Sequence, residues 1–236
     1  MPNLADKFGH LATERPDTGH VGIDHLAGLD IASQLCSRLC HDLLSPVGAM
    51  ANGLELLADE KDPEMRKRCF ELLEQSARIS ADKLKFFRLA FGAAGGFDET
   101  ISASEPRGLI EALVRNNGRI ELSWMVAADA LPKPAVKVLL NFSLIAIESL
   151  VRGGTLDIAA ELRGDVCEIA VRATGPRIAF DATVGRALAG DLVASELSSR
   201  TAPAAMLHQL SAGVGGELQY ALTDEALLLG AVLPVS

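Results

Sequence analysis

From about Ile23 to Ala58 apolar residues recur mostly at steps of three and four: Leu26, Leu29, Cys36, Leu39, Leu43, Val47, Met50, Leu54 and Leu57, with a gap at Ala32. That spacing predicts a long helix with one buried stripe. Asp59-Glu60-Lys61-Asp62-Pro63 interrupts it, and Asp62 as N-cap with Pro63 as first helical residue predicts a second start. The second helix runs through Met65, Cys69, Leu72, Leu73, Ile79, Leu84, Phe86, Phe87 and Ala90 and stops near Gly92. Two long helices with a short loop form an antiparallel hairpin. Alone, such a hairpin exposes too much apolar surface to stand in water. Pairing two into a four-helix bundle covers it, so a homodimer is expected.

After Gly95-Gly96, read as a linker, the period shortens. Helices are predicted at 105–117 and 133–151, with strands at 119–126, 154–162 and 165–173. Helical pieces follow near 181–190 and 203–212, and strands at about 216–222 and 225–233 close the chain. Arg163-Gly164-Asp165 and Thr223-Asp224-Glu225 read as hairpin connections, which makes the sheet at least partly antiparallel. The expected class is α+β, with one sheet covered by helices on one face. The organisation reads as a flexible tail over 1–23, a helical hairpin over 24–94 and an α/β domain over 97–236.

Composition narrows the function more than the fold. The net charge of −9 argues against a nucleic-acid footprint. The hairpin segment is close to neutral and the second domain acidic. No apolar run approaches the roughly 20 residues of a membrane span, and the N-terminus lacks a signal peptide's pattern, so a cytoplasmic location is expected. The four cysteines do not read as a disulfide framework. Cys36 and Cys40 lie in register with the leucines and are expected to be small core residues, not metal ligands. The basic groups Arg66-Lys67-Arg68 and Lys83, Lys85, Arg88 read as solvated faces.

One stretch of the first helix breaks its own pattern: Leu39-Cys40-His41-Asp42-Leu43-Leu44-Ser45-Pro46. Proline inside a helix removes one backbone donor and crowds the carbonyl four residues back, here that of Asp42. Arg38, His41 and Ser45 share a face by spacing, beside a buried stripe of Cys40, Leu43 and Val47, which sets His41 on the outer flank. Gly48, Ala49, Asn52 and Gly53 follow, small residues that leave room for another protein to pack close. Taken by themselves, these residues fit a surface histidine on an amphipathic helix better than a reactive one.

The octapeptide resembles the phosphoacceptor motif of two-component histidine kinases, and the downstream part is similar to their Bergerat-type ATPase domain. The nucleotide boxes, however, are eroded. Asn141-Phe142-Ser143-Leu144-Ile145-Ala146 is similar to the N-box, with Ile145 in place of the second Asn, which in kinases helps hold magnesium. Ala173-Thr174-Gly175-Pro176-Arg177-Ile178 aligns with the first glycine box, with Ala173 for the adenine-reading Asp and Arg177 for the second Gly. Thr201-Ala202-Pro203-Ala204-Ala205 contains no glycine where the second box should supply close backbone approach to phosphate. No ATP binding, bound cofactor or metal is expected.

A histidine hairpin with an eroded ATPase-like domain resembles the ChpT-type histidine phosphotransferases of alphaproteobacteria, and the resemblance covers residues 25–236. It implies a phosphoryl relay in a bacterial cell-cycle pathway. The donor would be the receiver domain of a CckA-like hybrid kinase, and the acceptors CtrA-like and CpdR-like response regulators. His41 would be the phosphorylated residue and Asp42 the carboxylate on Nδ1. Arg38 would steady the phosphoryl charge or stand as a solvated arginine. Ser45 would bond the phosphoryl group or its own helix backbone. Leu44, Gly48, Ala49 and Asn52 would meet the receiver, whose own ligands supply Mg2+. An active histidine kinase and a non-catalytic dimeric scaffold are the alternatives.

Overall fold

The computed structural model describes residues 28–92 and 100–235; the expected N-terminal tail and the Gly95-Gly96 linker lie outside them. Helix α1 spans Gly28–Asp59 and α2 Pro63–Phe91. The start of α2 is set as the sequence predicts, the Asp62 carboxylate accepting from Glu64 N and Pro63 standing first in the helix. Arg66 is half-buried, contrary to the expectation of a solvated face. Its guanidinium donates to the carbonyls of Leu57 and Glu60 at 3.2 and 2.9 Å and so closes the end of α1. The two helices pack closely at Gly53, where an added Cβ would lie 3.1 Å from Leu73 Cδ2.

The buried face of α1 differs from the predicted stripe. Ile31, Leu35, Arg38, Pro46 and Gly53 are buried, whereas Leu29, Cys36, Cys40, Leu44, Val47 and Leu54 are exposed. Cys36 and Cys40 are therefore not core residues within the chain. The helix carries two apolar stripes: one turned to α2 and the α/β part, and one open. A single hairpin has only one partner helix, so half of the apolar periodicity stays uncovered.

The remainder is a mixed sheet with helices on one face. Its elements are β1 (Thr100–Ser102), α3 (Ser104–Asn117), β2 (Ile120–Val126), β3 (Ala130–Pro132), α4 (Lys133–Ser149), β4 (Gly154–Arg163) and β5 (Val166–Thr174). Helix α5 (Ala182–Ala189), a 3-10 turn (Ala194–Glu196), α6 (Ala202–Gly213), β6 (Glu217–Leu222) and β7 (Ala226–Pro234) complete it. The short β1–β3 pair and the 3-10 turn escaped the sequence pattern because three residues carry no period. The five-stranded sheet runs β2-β4-β5-β7-β6, parallel at β2–β4 and antiparallel elsewhere. Gly164, with φ +59, makes the tight β4–β5 turn that pins the register. Leu156, Ile158 and Ala160 then stand opposite Ala173, Val171 and Ile169, all buried, while Asp157 and Arg172 pair on the outer face.

Helix α4 lies between the sheet and the hairpin and is buried nearly all round, from Ala135 to Ala146. The end of α2 docks beside it. Phe86, Phe87 and Ala90 are buried, with the Phe86 and Phe87 rings edge-on at 5.9 Å. The hairpin is thus fastened to the α/β part through one continuous core.

Candidate functional site

Helix α1 passes through Pro46 without breaking. Proline has no N–H, so the carbonyl of Asp42 loses its helical donor. Lys83 of α2 replaces it, with Nζ 2.8 Å from Asp42 O. Lys83 is half-buried and engaged, which corrects its reading as a solvated face. The cost of a proline in mid-helix is offset here by a side chain from the neighbouring helix.

One turn before the proline the side chain of His41 is 84% exposed, on the outer flank as expected. Its Nδ1 lies 3.3 Å from Asp42 Oδ1. The other Asp42 oxygen, Oδ2, accepts from Arg38 Nε at 3.0 Å. Arg38 in turn donates through Nη2 to the Glu148 carboxylate, near the end of α4. Four residues from two parts of the fold therefore form one chain, Glu148–Arg38–Asp42–His41. With the Asp42 carboxylate on Nδ1–H, Nε2 is left with its lone pair, facing solvent.

The structure separates the other predicted residues. Ser45 and Leu44 are exposed within about a turn of His41, Asn52 is exposed about three turns further along α1, and Gly48 has open space, with no atom within 4 Å of an added Cβ. Ala49 is half-buried and shares the face of Pro46 and Gly53, which is the face turned inward. Arg38 is buried rather than solvated, and its guanidinium is engaged by Asp42 and Glu148. Glu148 was not singled out by sequence reasoning, and Lys83 only as part of a basic group read as solvated. The orphaned Asp42 carbonyl signals that some donor is needed, but residues 41 and 110 positions apart in sequence from their partners become visible only in the fold.

Two of the three positions that depart from the nucleotide-box pattern are built into the core. Ile145 and Ala173 are buried, Ala173 between Leu156 and Leu227 in the sheet register, and Arg177 is exposed. Asn141, the remaining N-box residue, is fully buried. Its amide donates to Ala90 O at 3.2 Å, one of the last carbonyls of α2, and to Lys137 O at 2.8 Å. Between α1, α4 and the segment before α5 lies a cleft of about 20 Å³, lined among others by Arg38, Ile145, Glu148, Phe180, Asp181 and Arg200. That is room for about one water. Among the described residues no cluster of three or more His, Cys, Asp or Glu is placed to hold a metal ion. Nor is any of their helices long and apolar enough to cross a membrane.

Residues 103–226 match the family model described as the histidine phosphotransferase C-terminal domain. Over 136 residues the chain is 41% identical to the protein phosphotransferase ChpT of Brucella abortus (strain 2308), a match that spans 58% of this chain and 63% of that relative's length. A solved structure described as a bacterial phosphotransferase superposes with a TM-score of 0.76 at 30% identity, covering 87% of this chain and 97% of that one. The family match takes in more than half of the chain and sits on the sheet and helices that carry Glu148, so this protein belongs to the histidine phosphotransferase family.

Proposed function

We propose that this protein is a phosphorelay intermediate that takes a phosphoryl group onto His41 from one receiver domain and gives it to another. The observation that carries the reading is the exposed His41 imidazole with its Nδ1 on the Asp42 carboxylate. Nε2 attacks the phosphorus of a receiver's aspartyl phosphate. The N–P bond forms as the acyl P–O bond breaks, and the receiver's carboxylate leaves. The ring gains positive charge as it does so, and Asp42 stabilises that charge through the Nδ1–H it holds. A second receiver's aspartate reverses the sequence and returns His41 to its starting state. The magnesium ion belongs to the receiver, whose acidic residues bind it.

The donor is a receiver of a CckA-like hybrid kinase and the acceptors are CtrA-like and CpdR-like regulators, with Leu44, Gly48 and Asn52 as the docking surface. Ser45 lies one turn from His41, within reach of the phosphoryl oxygens. The open stripe of Leu29, Cys36, Cys40, Val47 and Leu54 supports a homodimer in which two hairpins complete a four-helix bundle. The apolar, buried Ile145 and Ala173, which offer no oxygen to magnesium or adenine, support a domain that binds no ATP and has no autokinase activity. The protein then works in the cytoplasm, where receivers are.

The deciding experiment mixes the protein with a phosphorylated receiver, alongside His41→Ala. Transfer of label to the wild type and none to the variant is expected. Labelling from ATP alone would replace this reading with a kinase, and no His41-dependent loss of receiver label would leave a scaffold.

A further inference from the structure

Adjacent residues on a helix point about 100° apart and do not face each other, so Asp42 is not held against the His41 ring by helix geometry. Something else must fix the carboxylate. Arg38 precedes Asp42 by four residues with the cation on the N-terminal side, the weaker order for a helical ion pair, so local preference is a poor explanation too. Yet the Arg38 side chain is only 9% exposed, against 20% for Asp42. A guanidinium cannot shed its proton, and burying it requires carboxylate partners. It has two: Asp42 Oδ2 at Nε, and Glu148 at Nη2. Glu148 stands on α4, whose flanks are locked in the core of the α/β part, so the hold on Arg38 is anchored outside the hairpin.

We propose that Arg38 and Glu148 are positioning residues for His41: they hold Asp42 in the rotamer whose free oxygen accepts a hydrogen bond from Nδ1–H, and so keep Nε2 unprotonated. The α/β domain, which has lost its nucleotide boxes, acts through Glu148 as the platform that sets the histidine's tautomer. The inference deepens the phosphoryl-transfer reading and rests on it for its consequence, though not for its geometry. Arg38 thereby acts through Asp42 and does not touch the reacting atoms.

The test uses the full chain with Glu148→Gln, Arg38→Lys and the double variant. Ring 15N shifts of His41 report the tautomer, and a phosphorylated receiver reports the transfer rate. Glu148 is partly exposed and glutamine keeps an acceptor oxygen for Arg38, so this variant is expected to stay folded with a lowered thermal midpoint, and the ring shifts are read well below that midpoint. The Nδ1–H share of His41 falls in both single variants, and transfer slows about tenfold, the scale of one hydrogen bond to a charged group. The double variant is no worse than the more affected single, because both act through one carboxylate. An unchanged tautomer in Glu148→Gln overturns the proposal, whatever happens to the rate. If the tautomer shifts but wild type and His41→Ala are equally inert towards every phosphorylated receiver, the positioning stands and the transfer reading falls.

Discussion

Lys83 Nζ donates to the carbonyl oxygen of Asp42 at 2.8 Å, the carbonyl that Pro46 leaves without a helical donor. A side chain from α2 thus repairs α1 one turn from the exposed imidazole. Truncation of Lys83 to Met keeps its apolar stem and removes the donor, and about 1 kcal/mol of stability is expected to go with it. In a Pro46→Ala background residue 46 regains its N–H and competes for the same carbonyl. There the Lys83 substitution should cost close to nothing in denaturant titrations. Equal costs in both backgrounds would show that Lys83 stabilises the hairpin by some other route.

Gly48 separates docking from folding. An added side chain there meets no atom of the chain within 4 Å, and most residues are better helix formers than glycine. Gly48→Leu should therefore keep or raise the melting temperature, by up to about 1 kcal/mol of stability, while slowing receiver-to-His41 transfer. Full transfer with a retained fold would place the docking surface elsewhere.

The cysteines report assembly. Cys36 and Cys40 lie on the open stripe, whereas Cys69 and Cys167 are buried. Burial, reinforced by Glu168, pushes the Cys167 thiol up to about 11, so it carries almost no thiolate at neutral pH. In dilute solution a thiol reagent should modify Cys36 and Cys40 fast and Cys167 only on unfolding. If two hairpins pair along this stripe, the first two rates fall as protein concentration rises. Rates independent of concentration, in a range where scattering gives a dimer mass, would put the dimer contact on another face.

Asp181 caps α5. Hydrogen bonds from the Thr183 hydroxyl and backbone N–H, helped by Arg200 and Arg186, hold its carboxyl below the usual carboxylate range. The folded value is thus the lower one, so the stabilisation is complete above the unfolded carboxylate value of about 3.9 and is lost as pH falls through the folded value. Asp181→Asn keeps a good cap without the charge. Wild type should be the more stable at neutral pH, and the difference should shrink below about pH 4. A gap that stays constant down to acid would assign the stabilisation to cap geometry instead of charge.

The long elements were written in local pattern. Asp62-Pro63 starts α2, Gly164 turns β4 into β5, and the alternation in Cys167, Ile169, Val171 and Ala173 marks one face of a sheet. These need only neighbours in sequence, through backbone preference and the period of each element. The same locality made His41 legible, since its acid, its hydroxyl residue and its proline follow within five positions. Which way a residue faces is another matter. Periodicity gave α1 one stripe, but the fold splits it in two, burying Ile31, Leu35 and Arg38 and leaving Cys36 and Cys40 open. A helical repeat records that a residue is apolar and not which partner covers it.

Three contacts lay wholly beyond the sequence: Lys83 on the Asp42 carbonyl, Glu148 on Arg38, and Asn141 on the Ala90 carbonyl. Each joins residues forty or more positions apart, where a charged or amide side chain meets a group that local structure left unpaired. From sequence, Arg38 was either a phosphoryl-steadying cation or a solvated arginine, and Asn141 the relic of a nucleotide box. Burial made both into fasteners, because a polar group taken out of water must find its partner wherever the chain brings one. Local residues determined that a histidine would stand exposed on this helix; the packing of the α/β part against the hairpin decided what holds the aspartate beside it.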